Sequence, residues 1–149
     1  MSKIILITII VLTIIALVLF FTIIFPNINK NQTSSNTSTT QGVKIETLKP
    51  GQGEAAAKNG DSLMVNFITT LSNGQKVDSS YDRQALITFK VGAEEVIKGW
   101  DVGVLGMKVG EIRRLTIQPN FAYGTEGLAS LKIPKDAILI STVELISIK

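Results

Sequence analysis

The chain has 149 residues, 45% of them apolar, and its 15 basic and 12 acidic side chains leave a net charge of +3. It contains no cysteine and no histidine, which excludes a disulfide framework, a thiolate nucleophile, a zinc site built from Cys and His, and an imidazole general base. The basic residues form no clustered patch in the sequence, so a nucleic-acid partner is disfavoured. The carboxylates show no metal-ligand spacing, and we expect neither a metal nor a cofactor.

The first predicted element is a long apolar run. Residues 4–25 carry no charge, and as a helix they would be about 33 Å long, enough to cross a hydrocarbon core of about 30 Å. A cleaved signal peptide has a shorter apolar core that ends at small residues, whereas this run ends at Ile24-Phe25-Pro26. We therefore predict a transmembrane signal anchor over 4–25 that ties the chain to the lipid bilayer.

The residues on either side of this run predict its orientation and a tether. The amino terminus and Lys3 outweigh Lys30, so the positive-inside rule makes residues 1–3 a cytoplasmic stub and places the rest of the single-pass chain on the extracytoplasmic side. Residues 26–41 are rich in Asn, Ser, Thr and Gln and can bury too little apolar surface to fold. We predict a flexible polar linker over 26–41 and a folded domain over 42–149.

Short runs of alternating polarity predict strands within this domain. These runs cover residues 43–46, 63–67, 87–91, 112–117 and 137–148. Asn73-Gly74 is typical of a hairpin turn. Only residues 96–105 have a helical period, with Trp100 at the centre. One short helix and about five strands indicate an α+β fold, in which an antiparallel sheet covers the helix and Trp100 faces the concave side of the sheet.

The chemistry open to these residues is narrow. No serine lies in a Gly-x-Ser-x-Gly context with a base, so covalent catalysis is disfavoured. The glycine-punctuated segment 103–110 lacks the patterns that bind phosphate. An apolar binding site remains.

Four motifs follow one another in chain order. They are Val77-Asp78-Ser79-Ser80-Tyr81-Asp82-Arg83, Val96-Ile97-Lys98-Gly99-Trp100-Asp101-x-Gly103, Met107-Lys108-Val109-Gly110-Glu111 and Phe121-Ala122-Tyr123-Gly124. In this order they closely resemble the FKBP-type (tacrolimus-binding) peptidyl-prolyl cis/trans isomerases, over nearly all of residues 42–149. The resemblance implies a five- to six-stranded antiparallel sheet wrapped around one short helix, with a shallow apolar pocket between them. It also implies rotation of X-Pro bonds in proline-containing polypeptide clients.

The resemblance assigns residues to this pocket. They are Asp78, Val96, Ile97, Trp100, Tyr123 and Ile133. Trp100 is implied as the pocket floor, in agreement with the packing argument, and the Tyr123 hydroxyl and the Ile97 amide are implied as hydrogen-bond donors to a ligand. Ile133 is implied to lie in a flap over the site. Asp78 is implied as a catalytic residue, although an ion pair with Arg83 would also account for it.

Several positions depart from the family pattern. Where the family usually has tyrosine, phenylalanine and two further aromatic residues, this chain has Phe67, Val77, Ile87 and Ser141, respectively. Alternation places Ser141 on a face with apolar neighbours, as expected of a serine that lines a cavity. A familiar His-Pro-Gly segment is replaced by residues 128–132. We expect these substrate-binding positions to form a wider, less aromatic pocket that binds macrolide (tacrolimus-like) drugs weakly.

Isomerisation of an X-Pro bond does not require the excluded chemistry. The barrier of about 18 to 20 kcal/mol arises from amide resonance, and no bond is broken. A thousandfold acceleration needs only about 4 kcal/mol of preferential binding of the twisted amide. Two hypotheses stay open: a membrane-tethered isomerase that assists the folding of exported proteins, and a non-catalytic proline-peptide-binding or chaperone module of the same fold with a degenerate pocket.

Overall fold

The computed structural model describes residues 37–40 and 42–149. The predicted anchor over 4–25 and most of the predicted linker lie outside the described residues. Within the described part, no helix has both the length and the apolar character that a membrane crossing requires.

The described part consists of short elements. The strands are β1 (Thr37–Thr40), β2 (Val43–Lys49), β3 (Gln52–Ala56), β4 (Ser62–Leu71), β5 (Lys76–Ser79), β6 (Ile87–Lys90), β7 (Lys108–Val109), β8 (Ile112–Ile117) and β9 (Leu139–Ile148). The α-helices are α1 (Ser80–Arg83) and α2 (Lys98–Gly103), and the 3-10 helices are Pro119–Phe121 and Ala129–Leu131.

One antiparallel sheet dominates the described residues. Its seven strands run in the order β1-β2-β8-β9-β4-β5, with β6 also paired to β4, and β3 pairs separately with β7. The predicted α+β architecture, an antiparallel sheet with few short helices, is confirmed. The sheet exceeds the five to six strands implied by the resemblance because β1 extends one edge, while β5 and β6 pair with different parts of β4.

Strand β1 lies where the sequence predicts a linker. Thr37 pairs with Glu46 and Thr40 with Val43 in an antiparallel ladder, so the ordered unit begins earlier than residue 42. Composition missed this strand because a backbone ladder needs no apolar side chain. Three of its four residues are threonine, which is favourable in strands.

Helix α2 is shorter than the predicted 96–105. Ile97 has the extended backbone of a helix cap, with φ −60° and ψ 145°, and the helix ends at Gly103. The apolar period continues into the flanking loops because Val104 and Met107 are also buried. Periodicity therefore located the helix but not its ends.

The core lies between α2 and the concave face of the sheet. Its sheet side chains include Leu63, Val65 and Phe67 of β4, Leu115 and Ile117 of β8, and Val143 and Leu145 of β9. Burial alternates along β4 and β9, as the period-2 pattern predicts. Trp100 is 5% exposed and covers this face, as expected.

Gly99 allows α2 to lie directly on β8. A Cβ at this position would lie 2.4 Å from Cγ2 of Ile117. We expect Gly99→Ala to lower the free energy of unfolding by about 1 to 3 kcal/mol, because the overpacking exceeds alanine's advantage as a helix former. Urea denaturation measures the effect, with Lys98→Ala at the exposed neighbouring position as a control expected to stay within about 0.5 kcal/mol. Unchanged stability of Gly99→Ala would contradict this close approach.

Candidate active site

A cavity of about 190 Å³ lies over α2. Its lining residues are Phe67, Thr69, Val77, Asp78, Ile87, Glu95, Val96, Ile97, Trp100, Tyr123, Leu131, Ile133 and Leu139. Every site residue predicted from the sequence is among them except Ser141. Side chains that are far apart in the sequence thus come together at this cavity. They lie on strands β4, β5 and β6, at the start of α2 and in the loops up to β9.

The indole of Trp100 contacts two phenyl rings. Phe67 meets it edge-on, with ring centroids 4.9 Å apart and an interplanar angle of 78°. Phe89 lies on a tilted plane at 5.9 Å. Such edge and tilted arrangements are favourable for aromatic pairs, so the position of the cavity floor is determined by β4 and β6 as well as by α2.

Ser141 lies outside the cavity lining, contrary to the prediction that it lines a cavity. It is fully buried, and its Oγ accepts a hydrogen bond of 3.2 Å from Nε1 of Trp100. A second bond of 2.7 Å joins Ser141 Oγ to Thr69 Oγ1. Alternation placed Ser141 on the correct face of β9, but the indole and a neighbouring hydroxyl satisfy its polar atom there.

A β-bulge lets two consecutive residues, Val77 and Asp78, face the same cavity. Thr69 pairs with Asp78 while Thr70 pairs with Lys76, so Val77 is the extra residue of β5. Bulges change the direction in which side chains point. This irregularity explains how both positions line the cavity although neighbouring residues of a regular strand point to opposite faces.

Asp78 lines the cavity and also forms the ion pair with Arg83 that the sequence offered as an alternative, while its catalytic role stays a prediction. Its Oδ1 accepts the backbone N–H of Ser79 at 2.8 Å and forms an ion pair with Nη1 of Arg83. The guanidinium carbon of Arg83 lies 5.4 Å from the centroid of the Phe67 ring. Arg83 thereby connects the carboxylate to an aromatic wall of the cavity.

The two serines that follow Asp78 build the corner that carries this acid. Ser79 caps α1 by accepting the backbone N–H groups of Tyr81 and Asp82. The hydroxyl of Ser80, nearly fully buried, accepts the backbone N–H of Phe67 at 2.9 Å. The Ser80 bond attaches α1 to the middle of β4. In the Asp78-Ser79-Ser80 motif, the two serines therefore have a structural role. The sequence analysis did not predict this role.

Tyr123 follows the 3-10 helix Pro119–Phe121 and is half-buried. Burial of its phenol, and next the negative charge of Asp78, raise the pKa of Tyr123 above its usual 10.0. No hydrogen bond to its hydroxyl is formed by any residue that the structure describes. The hydroxyl is therefore a neutral donor that remains available to a ligand.

The raised pKa of Tyr123 predicts an alkaline transition. The folded state holds the phenolic proton more tightly than the unfolded chain does. The contribution of this group to the free energy of unfolding is therefore fully present below pH 10.0 and is lost as the pH rises through the folded-state pKa. We expect ligand affinity to be independent of this group between about pH 6 and 9 and to fall above the usual tyrosine pKa.

Absorbance titration of phenolate in the wild type and in Tyr123→Phe checks this prediction. The variant retains only Tyr81, whose pKa is also raised, by burial and by Glu144, so the difference between the curves isolates Tyr123. A difference curve with its midpoint below 10 would contradict the assignment.

Four lining residues were not predicted: Thr69, Glu95, Leu131 and Leu139. Thr69 lies two residues beyond Phe67 on β4, so alternation alone could have located it. Glu95 faces the cavity while its Oε2 accepts the backbone N–H of Lys90 at 2.9 Å. Leu131 lies in the segment 128–132 that departs from the family pattern, and no sequence signal assigned it to the cavity.

The site contains no ready metal centre. Among the residues that the structure describes, no three carboxylate, imidazole or thiolate side chains meet in a way that could hold a metal ion. The cavity is instead lined by apolar side chains, by the carboxylates of Asp78 and Glu95 and by the phenol of Tyr123. Such a site can bind and orient an uncharged group.

Comparisons with known proteins agree with this geometry. A family model described as FKBP-type peptidyl-prolyl cis-trans isomerase matches residues 53–146. The FK506-binding protein 1A of Neurospora crassa is 45% identical over 108 residues, 72% of this chain and 89% of that protein. The peptidyl-prolyl cis-trans isomerase FKBP1A of Xenopus laevis is 43% identical over 108 residues, 72% of this chain and 99% of that protein.

A solved structure is also similar. The crystal structure of FkpA from Escherichia coli matches with a TM-score of 0.69 and 33% identity, over 78% of this chain and 53% of that one. The residues matched by the family model include α2 and every residue that lines the cavity. The chain belongs to the FKBP-type peptidyl-prolyl cis-trans isomerase family and is a rotamase.

Proposed function

We propose that this rotamase is tethered to a membrane and accelerates X-Pro rotation in folding clients by binding the twisted amide non-covalently in the cavity over Trp100. The observation that carries the proposal is the composition of this cavity. Trp100, Val96, Ile97 and Ile133 provide apolar surface, and Tyr123 provides a neutral donor. No general acid, base or metal is needed for a reaction that breaks no bond.

An apolar cavity favours the transition state over the planar amide. Twisting removes the amide resonance and its charge separation, so the twisted amide costs less free energy to desolvate than the planar amide. The prolyl ring gains from burial against the indole. About 4 kcal/mol of such preference would accelerate the rotation a thousandfold.

Hydrogen bonds to the flanking backbone would orient the substrate. The N–H of Ile97 has no hydrogen-bond partner among the described residues and lies at the cavity wall. The hydroxyl of Tyr123 is a second free donor. We propose that these two donors bind substrate carbonyls, while Asp78 and Arg83 hold the wall formed by Phe67 and orient the site electrostatically.

A rotamase assay tests the proposal. The full chain should accelerate isomerisation of a short X-Pro peptide, and the Trp100→Ala/Tyr123→Phe double variant should lose most of that acceleration. Tyr81→Phe is a matched control, because Tyr81 is 51% exposed and its hydroxyl bonds Glu144 outside the cavity. If the wild-type chain binds the peptide without accelerating its isomerisation, the result would instead support the non-catalytic binding module. The aliphatic residues Val77 and Ile87 favour that alternative.

The same aliphatic residues bear on drug binding. The Neurospora relative is named as an FK506-binding protein. We propose that this chain binds FK506 more weakly than that relative, because Val77 and Ile87 stand where the family pattern has aromatic residues. Titration of both proteins with FK506 measures the difference, and equal affinities would contradict it.

The membrane tether is supported by the uncharged run 4–25 and by the excess of positive charge before it. The proposal places the isomerase domain on the extracytoplasmic side. Protease added to intact cells or spheroplasts should then degrade the domain. Protection until the membrane is broken would contradict the proposed orientation but not the rotamase activity.

A further inference from the structure

Three polar groups form a hydrogen-bonded chain at the cavity floor. Nε1 of Trp100 lies 3.2 Å from Oγ of Ser141, which lies 2.7 Å from Oγ1 of Thr69. Thr69 and Ser141 face each other directly across β4 and β9. Of these two hydroxyl residues, Thr69 alone lines the cavity, and Ser141 is fully buried.

These three groups carry three hydrogens that can be donated, but only two hydrogen bonds join the groups. An indole nitrogen can only donate, so Trp100 gives its hydrogen to Ser141, while each hydroxyl carries one hydrogen of its own. Neither hydroxyl makes another hydrogen bond to any residue within 37–40 and 42–149. Since one bond joins the two hydroxyls, one O–H group has no acceptor within this part of the chain.

Burial decides which hydroxyl holds the unused hydrogen. If Thr69 donated to Ser141, the Ser141 hydrogen would be unpaired in a fully enclosed position, which is costly. If Ser141 donates to Thr69, the unused hydrogen belongs to the residue that reaches the cavity. In this second arrangement, both hydrogen bonds also run in the same direction, from Trp100 towards Thr69, and each therefore strengthens the other.

We infer that Thr69 is a further substrate-binding residue, whose hydroxyl donates a hydrogen bond to an oxygen atom of the ligand at the depth of the indole. This inference rests on the proposed function of the cavity. In this arrangement Trp100 donates to Ser141, Ser141 donates to Thr69, and Thr69 donates to the ligand. Ser141 is a positioning residue that acts through its two neighbours.

Two ligand groups could supply an oxygen at this depth. One is a backbone carbonyl next to the prolyl ring, and the other is the ring hydroxyl of 4-hydroxyproline. Both are hydrogen-bond acceptors of similar size. A pair of short peptides that differ only in proline or 4-hydroxyproline distinguishes them.

The experiment compares the full chain carrying Thr69→Val, Thr69→Ser or no substitution. Trp100 is the only tryptophan in the chain, so its emission reports binding of each peptide without any need for turnover. Thr69→Val keeps the size of the side chain and removes the hydroxyl. We expect it to weaken binding of at least one peptide about two- to tenfold, the range for one neutral hydrogen bond, and Thr69→Ser to restore the affinity.

Controls separate this role from a structural one and from the proposed catalysis. Thr70→Val makes the same exchange on the opposite face of β4 and should leave affinity unchanged. If Thr69→Val fails to fold, Thr69→Ala and Thr69→Ser provide the same comparison. Wild-type affinity of the hydroxyl-free variant for both peptides would overturn the inference. Peptide binding by the wild type without rotamase activity would instead overturn the proposed catalysis.

Discussion

Replacing Trp100 by alanine is expected to lower the free energy of unfolding by about 3 to 5 kcal/mol, as for other buried aromatic residues, and to remove most rotamase activity. The indole is 5% exposed and contacts the rings of Phe67 and Phe89. Its loss also leaves the hydroxyl of Ser141 without its donor. The floor of the cavity and part of the core disappear together.

Trp100→Phe separates these contributions. A phenyl ring keeps much of the aromatic packing but cannot donate to Ser141, so we expect it to retain more stability than alanine while still losing affinity for a prolyl ring. Urea denaturation measures stability, and the rotamase assay measures activity. A Trp100→Ala variant within about 1 kcal/mol of the wild type would contradict the view that this side chain joins the sheet to α2.

A second large loss of stability is expected from Glu111→Ala, away from the cavity. The Glu111 and Arg113 side chains are 8% and 12% exposed and form an ion pair at 2.6 Å. Nη1 of Arg113 also donates to the backbone carbonyl of Gly103, the last residue of α2, and to that of Leu105, just after the helix. Removing the carboxylate leaves a largely buried guanidinium without its counter-charge, which costs about 3 to 5 kcal/mol.

Glu46→Ala provides the matched control for this buried pair. Glu46 lies 3.3 Å from Arg114, and the side chains are 26% and 45% exposed, so its removal should cost at most about 1 kcal/mol. Thermal unfolding of both variants measures the contrast. Equal losses would mean that burial does not distinguish the two pairs. Neither acid lines the cavity, so rotamase activity below the unfolding transition should persist in both variants.

The sheet and its core could largely be predicted from alternation, because one face of β4, β8 and β9 is buried. Leu63, Val65 and Phe67 face the core as the pattern requires. Strand β1 could not be predicted in this way, because its side chains are all exposed and its pairing depends on the free edge of β2. The bulge at Val77 likewise depends on pairing between strands rather than on the local sequence.

The candidate site was accessible mainly through its resemblance to a family. Composition excluded most chemistry, and periodicity placed Trp100 in the core, but neither could bring Asp78, Tyr123 and Ile133 to one cavity. Ser141 shows the limit of both approaches. A serine on an apolar face indicates a polar contact, yet only the three-dimensional arrangement shows that the partners are Trp100 and Thr69.

The affinity for a twisted amide tests the central claim most directly. Trp100 emission can compare a short X-Pro peptide with an analogue whose prolyl amide is held out of plane. If the cavity acts by preferential binding of the transition state, the twisted analogue should bind at least about a hundredfold more tightly. Equal affinities for the planar and the twisted ligand would contradict this account, whatever the tightness of binding.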